Sequence, residues 1–509
     1  MLETALLFRN GMVIQRDKPV TVWGTAAPGA AVRVAMQNRT AECTADADGR
    51  WKAVCGPFHA SFSEEMILSS GGEEKRIRDV AVGEVWLAGG QSNMEFAMRF
   101  DRGLEKEKQR PGREIRYFEY PRVSYPEQIT EADYGRQYGI WRKAQPEQLE
   151  RFSAVGYYFA DCLHQRYGIP VGIIGCNWGG TPACSWMPEE AVEACGPAWL
   201  EDYRAALASL DVEAYCRDFR RNAANFHTDW FAEPMYDILQ VGYSSEEIAE
   251  KAAALGNGES LQPAVIGPLH EWRPCGLYES MLTQVAPYTV RGVLWYQGEA
   301  DDAKAELYHR VFPELIRCWR ALWQEELPFL FVQLAPFRRW LACTGTRWPE
   351  IRAAQQWTAD NVSGTAMAVI TDAGMEWDIH PKEKRPVGER LALLAEHYVY
   401  GEDLLCEAPR IRSVTAGEGR IVILFDYAGD GLVLDGPVLS ALEVFQNGYP
   451  VAVSRCEAEG NTVLVFGEGI RPEVPTEVRL AWTDYYQVNL RNSAGIPARP
   501  GIAGTGFRR

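Results

Sequence analysis

The sequence predicts an α/β protein: a parallel, doubly wound sheet with helices on both faces, flanked by a small β-sandwich at each end. Two observations carry this. Between residues 81 and 400, short apolar runs alternate with amphipathic stretches long enough for helices, the pattern of parallel strands joined by crossovers. Outside that span, short alternating runs are separated by Gly-, Asp- and Pro-rich turns, without helical periodicity. The expected domains are therefore 1–80, 81–400 and 401–509.

In the first domain, residues 19–24 (PVTVWG), 31–36 (AVRVAM) and 50–54 read as strands, parted by turns such as Asp46-Ala47-Asp48-Gly49. Trp23 and Trp51 fit its core better than a sugar platform. The second domain opens with a buried strand at 82–88, followed by Gly89-Gly90 and Gln91-Ser92-Asn93. A polar, Arg- and Pro-rich loop is expected through about residue 141, then a helix at 153–167 stopped by Gly168 and Pro170. A second strand, 171–177 (VGIIGCN), runs into Trp178-Gly179-Gly180-Thr181. Residues 188–261 read as an acidic helical insertion. A third strand, 290–296, ends in Gln297-Gly298-Glu299; later strands are expected at 328–335 and 366–371, with helices at 303–324, 349–361 and 386–400. The third domain carries strands at 421–425, 442–445, 463–466 and 478–482.

Bulk properties exclude several functions. A net charge of −17 argues against nucleic-acid or anionic-membrane surfaces, which need clustered Lys and Arg. No run approaches the ~18 apolar residues of a membrane span. The twelve cysteines show no C-x-x-C pair and no metal-ligand spacing, so neither metal nor cofactor is expected. The amino terminus has no signal-peptide pattern, and a reducing, cytoplasmic setting is the expectation. A homo-oligomer is left open.

The chemistry lies at the strand ends. A five-stranded flavodoxin-like sheet, order 2-1-3-4-5, puts the first strand between the second and third. The turns bearing Ser92, Gly179-Gly180 and Gln297 then converge, and the loop carrying Asp378 and His380 follows the fifth strand. Ester cleavage by serine needs a base, an orienter for that base, and donors for the oxyanion. Ser92 is the candidate nucleophile, His380 the base and Asp378 the orienter, with Asp372 as its competitor. The backbone N–H groups of Ser92 and Gly180 and the Gln297 amide are the candidate oxyanion donors. The plain alternative for Ser92 is a helix N-cap; for Cys176 and Cys184, buried packing. Glu299 reads as an orienting residue rather than half of a glycosidase carboxylate pair, because its acidic neighbours lie within one turn.

These motifs carry a resemblance. GQSNM after one strand, Asn-x-Gly-Gly-Thr after the next, WYQGEAD after the third and DIHP late in the chain resemble the sialate O-acetylesterases, the SGNH-hydrolase branch close to acetylxylan esterases. NGMVIQRDKPVTVWGTAAPG, RPCGLYESML and NLRNSAGIPARP are similar to that family's opening, mid-chain and closing segments. The resemblance implies an SGNH-type esterase domain and a serine carbohydrate esterase removing O-acetyl groups, with Ser92, His380 and Asp378 as its triad. Gln297 stands where many SGNH enzymes have Asn, and Asp-x-His replaces the commoner Asp-x-x-His. An acetylated sialic acid is the expected substrate, lying among Trp178, Trp186, Trp272, Arg273, Tyr278 and Glu299; Arg99 or Arg273 would favour its carboxylate. An acetylxylan-type esterase and, from another class, a non-catalytic carbohydrate-binding protein are the alternatives.

Overall fold

The computed structural model describes residues 1–110, 112–131, 138–221, 229–256 and 265–505. They fall into two compact units: Met1–Ala300 with Arg310–Phe329 and Lys382–Gly388, and Asp301–His309 with Leu330–Pro381 and Glu389–Arg509.

The first unit begins with short antiparallel strands. Val20–Thr25 pairs with Glu3–Thr4 and Arg50–Cys55, while Ala31–Met36 pairs with Arg39–Thr44 and Ser61–Ser70. Arg50–Cys55 alternates exposed and buried residues, placing Trp51, Ala53 and Cys55 inside. Trp51 is thus a core residue, and Trp23 packs edge-on against Phe8 at 4.8 Å.

One strand organises this unit. Glu73–Gly90 runs for 18 residues, straight through position 80. Its first half pairs antiparallel with Ser61–Ser70; its second lies between Val171–Asn177 and Gly292–Tyr296, parallel to both. The first three expected strands therefore stand in the expected order, and the two neighbours are buried along their whole length, as parallel central strands are.

The loop expected through residue 141 is a correction. It contains the strand Ile115–Glu119, parallel to Val171–Asn177, and the antiparallel Trp141–Lys143 beyond it. Arg116 and Glu119 disguised the strand as a solvated segment. Arg116 is fully buried, and its guanidinium is met by the carbonyls of Gly11 (3.0 Å) and Phe62 (3.2 Å) and by the Asp79 carboxylate (3.1 Å). A charge so partnered can be buried. The sheet is thus mixed rather than the purely parallel five-stranded one expected.

The helix Ala154–Tyr167 starts on Ser153, whose hydroxyl accepts from Gly156 N–H, and ends at Gly168 in the left-handed conformation. The insertion is helical over Glu189–Cys195, Pro197–Ala208, Val212–Arg221, Pro234–Gln240 and Ser245–Ala254. Residues 222–228 and 257–261 of that expectation lie outside the described residues.

Phe329–Val332, in the second unit from Leu330 on, neighbours Thr365–Ala368, and the helices Trp348–Asn361 and Arg385–Tyr398, the latter in the second unit from Glu389 on, fall where expected. The carboxyl-terminal part of the second unit holds two four-stranded antiparallel sheets. Arg410–Gly417, Arg420–Asp426, Thr462–Phe466 and Arg455–Glu459 form one; Tyr449–Pro450, Leu442–Gln446, Thr476–Leu480 and Gly501–Gly504 form the other. Ile421, Ile423, Val463, Val465 and Val478 are fully buried in a shared core.

Candidate active site

In the first unit three strands end at one level. Gly90 is in register with Asn177 on one side and Tyr296 on the other. Backbone hydrogen bonds tie the turns there: Trp178 N–H to Gly90 O (3.2 Å) and Gln91 N–H to Tyr296 O (3.0 Å). Gly90 takes φ +129°, and a Cβ on it would sit 2.2 Å from Tyr296 O. Only glycine lets the chain leave the sheet this close to its neighbour.

Ser92 opens the short helix Ser92–Glu95, with Gln91 at the N-cap making no side-chain cap bond. Ser92 is therefore not the capping residue. It occupies the first helical position, whose N–H has no intrahelical acceptor. Among the described residues, neither the Ser92 nor the Gly180 N–H donates a hydrogen bond. Ser92 is nearly buried, at 8% exposure.

The Gly179-Gly180 turn lies against this serine: a Cβ on Gly179 would come within 3.2 Å of Ser92 Cβ. Gly180 holds φ +77°, a left-handed conformation that aims successive N–H groups to one side. Gln297 is fully buried, and its amide donates to Thr181 O at 3.2 Å. Ser92, Gly180 and Gln297 are thus brought to one place, with one Gln297 N–H already engaged.

Three buried side chains sit behind the serine. Lys384 Nζ donates to Asn93 Oδ1, and Asn93 Nδ2 donates to Glu299 Oε1 at 2.6 Å. Lys384 also lies 4.6 Å from the Phe96 ring centre and 5.5 Å from that of Tyr296. Burial pushes the Glu299 carboxyl above the usual range, against smaller opposing effects of Asn93 and Lys384. Sequence reasoning placed Glu299 here but missed Asn93, Lys384, Glu95 and Arg122. Asn93 lay within the GQSNM motif and Glu95 directly after it; nothing in the spacing pointed to Lys384 or Arg122.

Of the expected sugar contacts, Trp178 is half-buried, and Trp272, 37% exposed, borders the turn, with its Nε1 3.3 Å from a Cβ built on Gly180. Arg273 is engaged by Glu279 at 2.6 Å, and Tyr278 is half-buried at the start of Tyr278–Leu282. Trp186 is a correction: fully buried, it donates to Thr181 Oγ1 at 3.0 Å and packs against Trp319, a core role. Arg99 is paired with Asp237 and stacked on Phe231 at 3.7 Å. Burial also holds the Cys176 thiol far above its ordinary pKa, which removes it as a nucleophile.

The histidine segment belongs to the second unit. His380 and Asp378 are both 4% exposed. Asp378 Oδ1 accepts from the backbone N–H of His380 at 2.8 Å and stands 3.9 Å from His380 Nδ1. The expected extended segment is instead a bend, because the carboxylate caps the backbone two residues on. The Trp340 ring meets His380 edge-on at 5.3 Å. Asp372 is gripped by Arg390 through two bonds of 2.6 and 2.7 Å. Among the described residues no group of His, Cys, Asp and Glu could hold a metal ion, and no helix is long and apolar enough to cross a membrane.

Comparison with known proteins agrees with this architecture. Residues 263–393 match the family described as carbohydrate esterase, sialic acid-specific acetylesterase. The mouse sialate O-acetylesterase is 26% identical over 461 residues, covering 82% of this chain and 77% of its own length. The human sialate O-acetylesterase is 26% identical over 445 residues, covering 80% and 72%. The crystal structure of a carbohydrate acetylesterase from Xanthomonas citri superposes with a TM-score of 0.74 at 29% identity, covering 98% of this chain and 99% of that one. Motifs, family match and full-length structural likeness converge: this chain is a carboxylic ester hydrolase, similar over most of its length to the sialate O-acetylesterases and to a carbohydrate acetylesterase.

Proposed function

We propose that the chain removes O-acetyl groups from sialic acids by serine catalysis. One observation carries the serine assignment: Ser92 sits at the first position of a helix, its N–H and that of Gly180 both uncommitted among the described residues. Ser92 Oγ attacks the acetyl carbonyl carbon while His380 takes the hydroxyl proton. The negative charge on the carbonyl oxygen is met by the Ser92 and Gly180 N–H groups, with the Gln297 amide beside them. His380 then returns the proton to the departing sugar oxygen. Water, activated by the same imidazole, attacks the acetyl-serine ester and frees acetate.

The pairing of serine with histidine rests on the motif resemblance, in which GQSNM carries the one and DIHP the other. Asp378, with Asp372 committed to Arg390, is the orienter this reading selects. The sialic acid assignment rests on the family description and on the mouse and human relatives.

Acetate release from O-acetylated sialic acids and acetylated xylo-oligosaccharides, measured side by side, tests it. The expected result is kcat/KM at least ~10-fold higher on the sialic acids, a ratio one added polar recognition group readily supplies. The reverse order transfers the assignment to an acetylxylan-type esterase.

A further inference from the structure

The short helix that bears Ser92 ends in Glu95, three residues on, so the two side chains leave from the same face. The Glu95 side chain is only 5% exposed. Its Oε2 accepts two hydrogen bonds, from the backbone N–H of Gly179 at 2.8 Å and from Arg122 Nη2 at 2.9 Å. Its Oε1 lies 2.9 Å from the point where a Gly179 Cβ would stand. A residue larger than glycine there would collide with both the carboxylate and the serine.

Arg122 arrives by the strand the sequence hides. Ile115–Glu119 runs parallel to Val171–Asn177, and Tyr120 N–H bonds Gly175 O at 2.9 Å. Arg122, three residues past the end of that strand, therefore emerges at the same edge of the sheet as the Gly179-Gly180 turn. Its side chain is 12% exposed, so both charges of the pair are withdrawn from water. Burying two ions has a large desolvation cost, and a neutral acceptor would satisfy one backbone N–H equally well. The charged pair gives something else, a fixed position for the turn.

We propose that Glu95, held by Arg122, is a positioning residue for oxyanion stabilisation. The carboxylate clamps the Trp178–Gly179 peptide, so the following Gly180 N–H is already aimed over Ser92 when charge develops on the acetyl oxygen. This rests on the serine reading above. An interaction realised only in the transition state is lost from kcat and leaves KM nearly untouched.

Steady-state kinetics on 4-nitrophenyl acetate test it, with thermal melting to report folding. Glu95→Ala is expected to lower kcat by ~10²-fold, the scale of one lost oxyanion donor, with KM within about threefold of wild type. Glu95→Gln keeps an acceptor for Gly179 but loses the ion pair with Arg122, and is expected to fall between Glu95→Ala and wild type in kcat with KM unchanged, which a merely structural carboxylate would not predict. If Glu95→Ala does not fold, Glu95→Asp, which withdraws the acceptor by one methylene, and Arg122→Lys are read the same way. A folded Glu95→Ala or Glu95→Asp enzyme with wild-type kcat overturns the proposal, as does a loss confined to KM. The two readings fail separately. Turnover surviving in Ser92→Ala removes the serine assignment itself, whereas an inactive Ser92→Ala beside a fully active Glu95→Ala removes only the role of Glu95.

Discussion

Lys384 is fully buried, and its ammonium donates to a neutral side chain, the Oδ1 of Asn93, at 2.5 Å. The ammonium is thereby tied to the residue next to Ser92 and, through it, to Glu299. Removing the donor takes a hydrogen bond from a buried amide oxygen beside an ionisable carboxyl. Lys384→Met, similar in length and uncharged, should cost about 2–4 kcal/mol of stability, read by urea denaturation. A change below about 0.5 kcal/mol would mean the ammonium is not holding this corner together.

Two buried glutamates should give opposite pH signatures. Burial works against ionisation of Glu84, but Arg291 at 2.7 Å and Arg16 at 2.6 Å outweigh it and hold its carboxyl below the usual range. Its stabilisation is complete above the unfolded value of ~4.3 and is lost as pH falls through the lower folded value. Glu299 is shifted upward by burial, so its contribution is complete below ~4.3 and is lost as pH rises through the raised folded value. Melting temperatures between pH 3 and 8 should show Glu84→Gln destabilised at neutral pH, with the gap to wild type closing in acid. Glu299→Gln should improve relative to wild type as pH rises from ~4.3. Melting curves that stay parallel to wild type would remove both shifts.

Ser92→Ala should retain the fold and lose at least ~10³-fold in kcat on 4-nitrophenyl acetate. The wild-type rate should rise with pH through one ionisation, that of the base. His380→Ala should abolish this rise together with most of the activity. A residual rate in His380→Ala that keeps the same pH limb would assign the base elsewhere.

The two aspartates near the histidine can be told apart. Asp378 stands 3.9 Å from the ring nitrogen and already fixes the His380 backbone. Asp372 is occupied by Arg390. Asp378→Asn should reduce kcat by ~10²–10⁴-fold, as when a triad histidine loses its orienting carboxylate. Asp372→Asn should lower the melting temperature with kcat within about threefold. The reverse pattern would exchange their roles.

Much of this was legible because the relevant signals are local. Val171–Asn177 is a continuous apolar run bounded by Pro170 and a Gly-Gly turn, and it is a strand over that whole run. Ser153 and Gly168 mark the ends of one helix through capping chemistry written in adjacent residues. Three of the site turns were found because each follows such a strand. What stayed hidden depends on distant partners. Ile115–Glu119 looks solvated until the carbonyls that receive Arg116 are known, and those come from residues near 11, 62 and 79. Arg122 meets Glu95 across 27 positions, and Lys384 meets Asn93 across 291. No periodicity in one sequence encodes such pairings. Trp186 erred the other way: an indole beside a Gly-Gly-Thr turn suggests a sugar shelf, yet its N–H is spent on Thr181 inside the core.

The strand Glu73–Gly90 acts as a girder, its outer end built into the opening β-structure and its inner end delivering the Ser92 turn. Excising one residue midway would retract Ser92 by ~3.3 Å and invert every side chain beyond the cut. Splicing a foreign module near residue 80 would therefore misalign the Ser92 turn, however well each fragment folded alone.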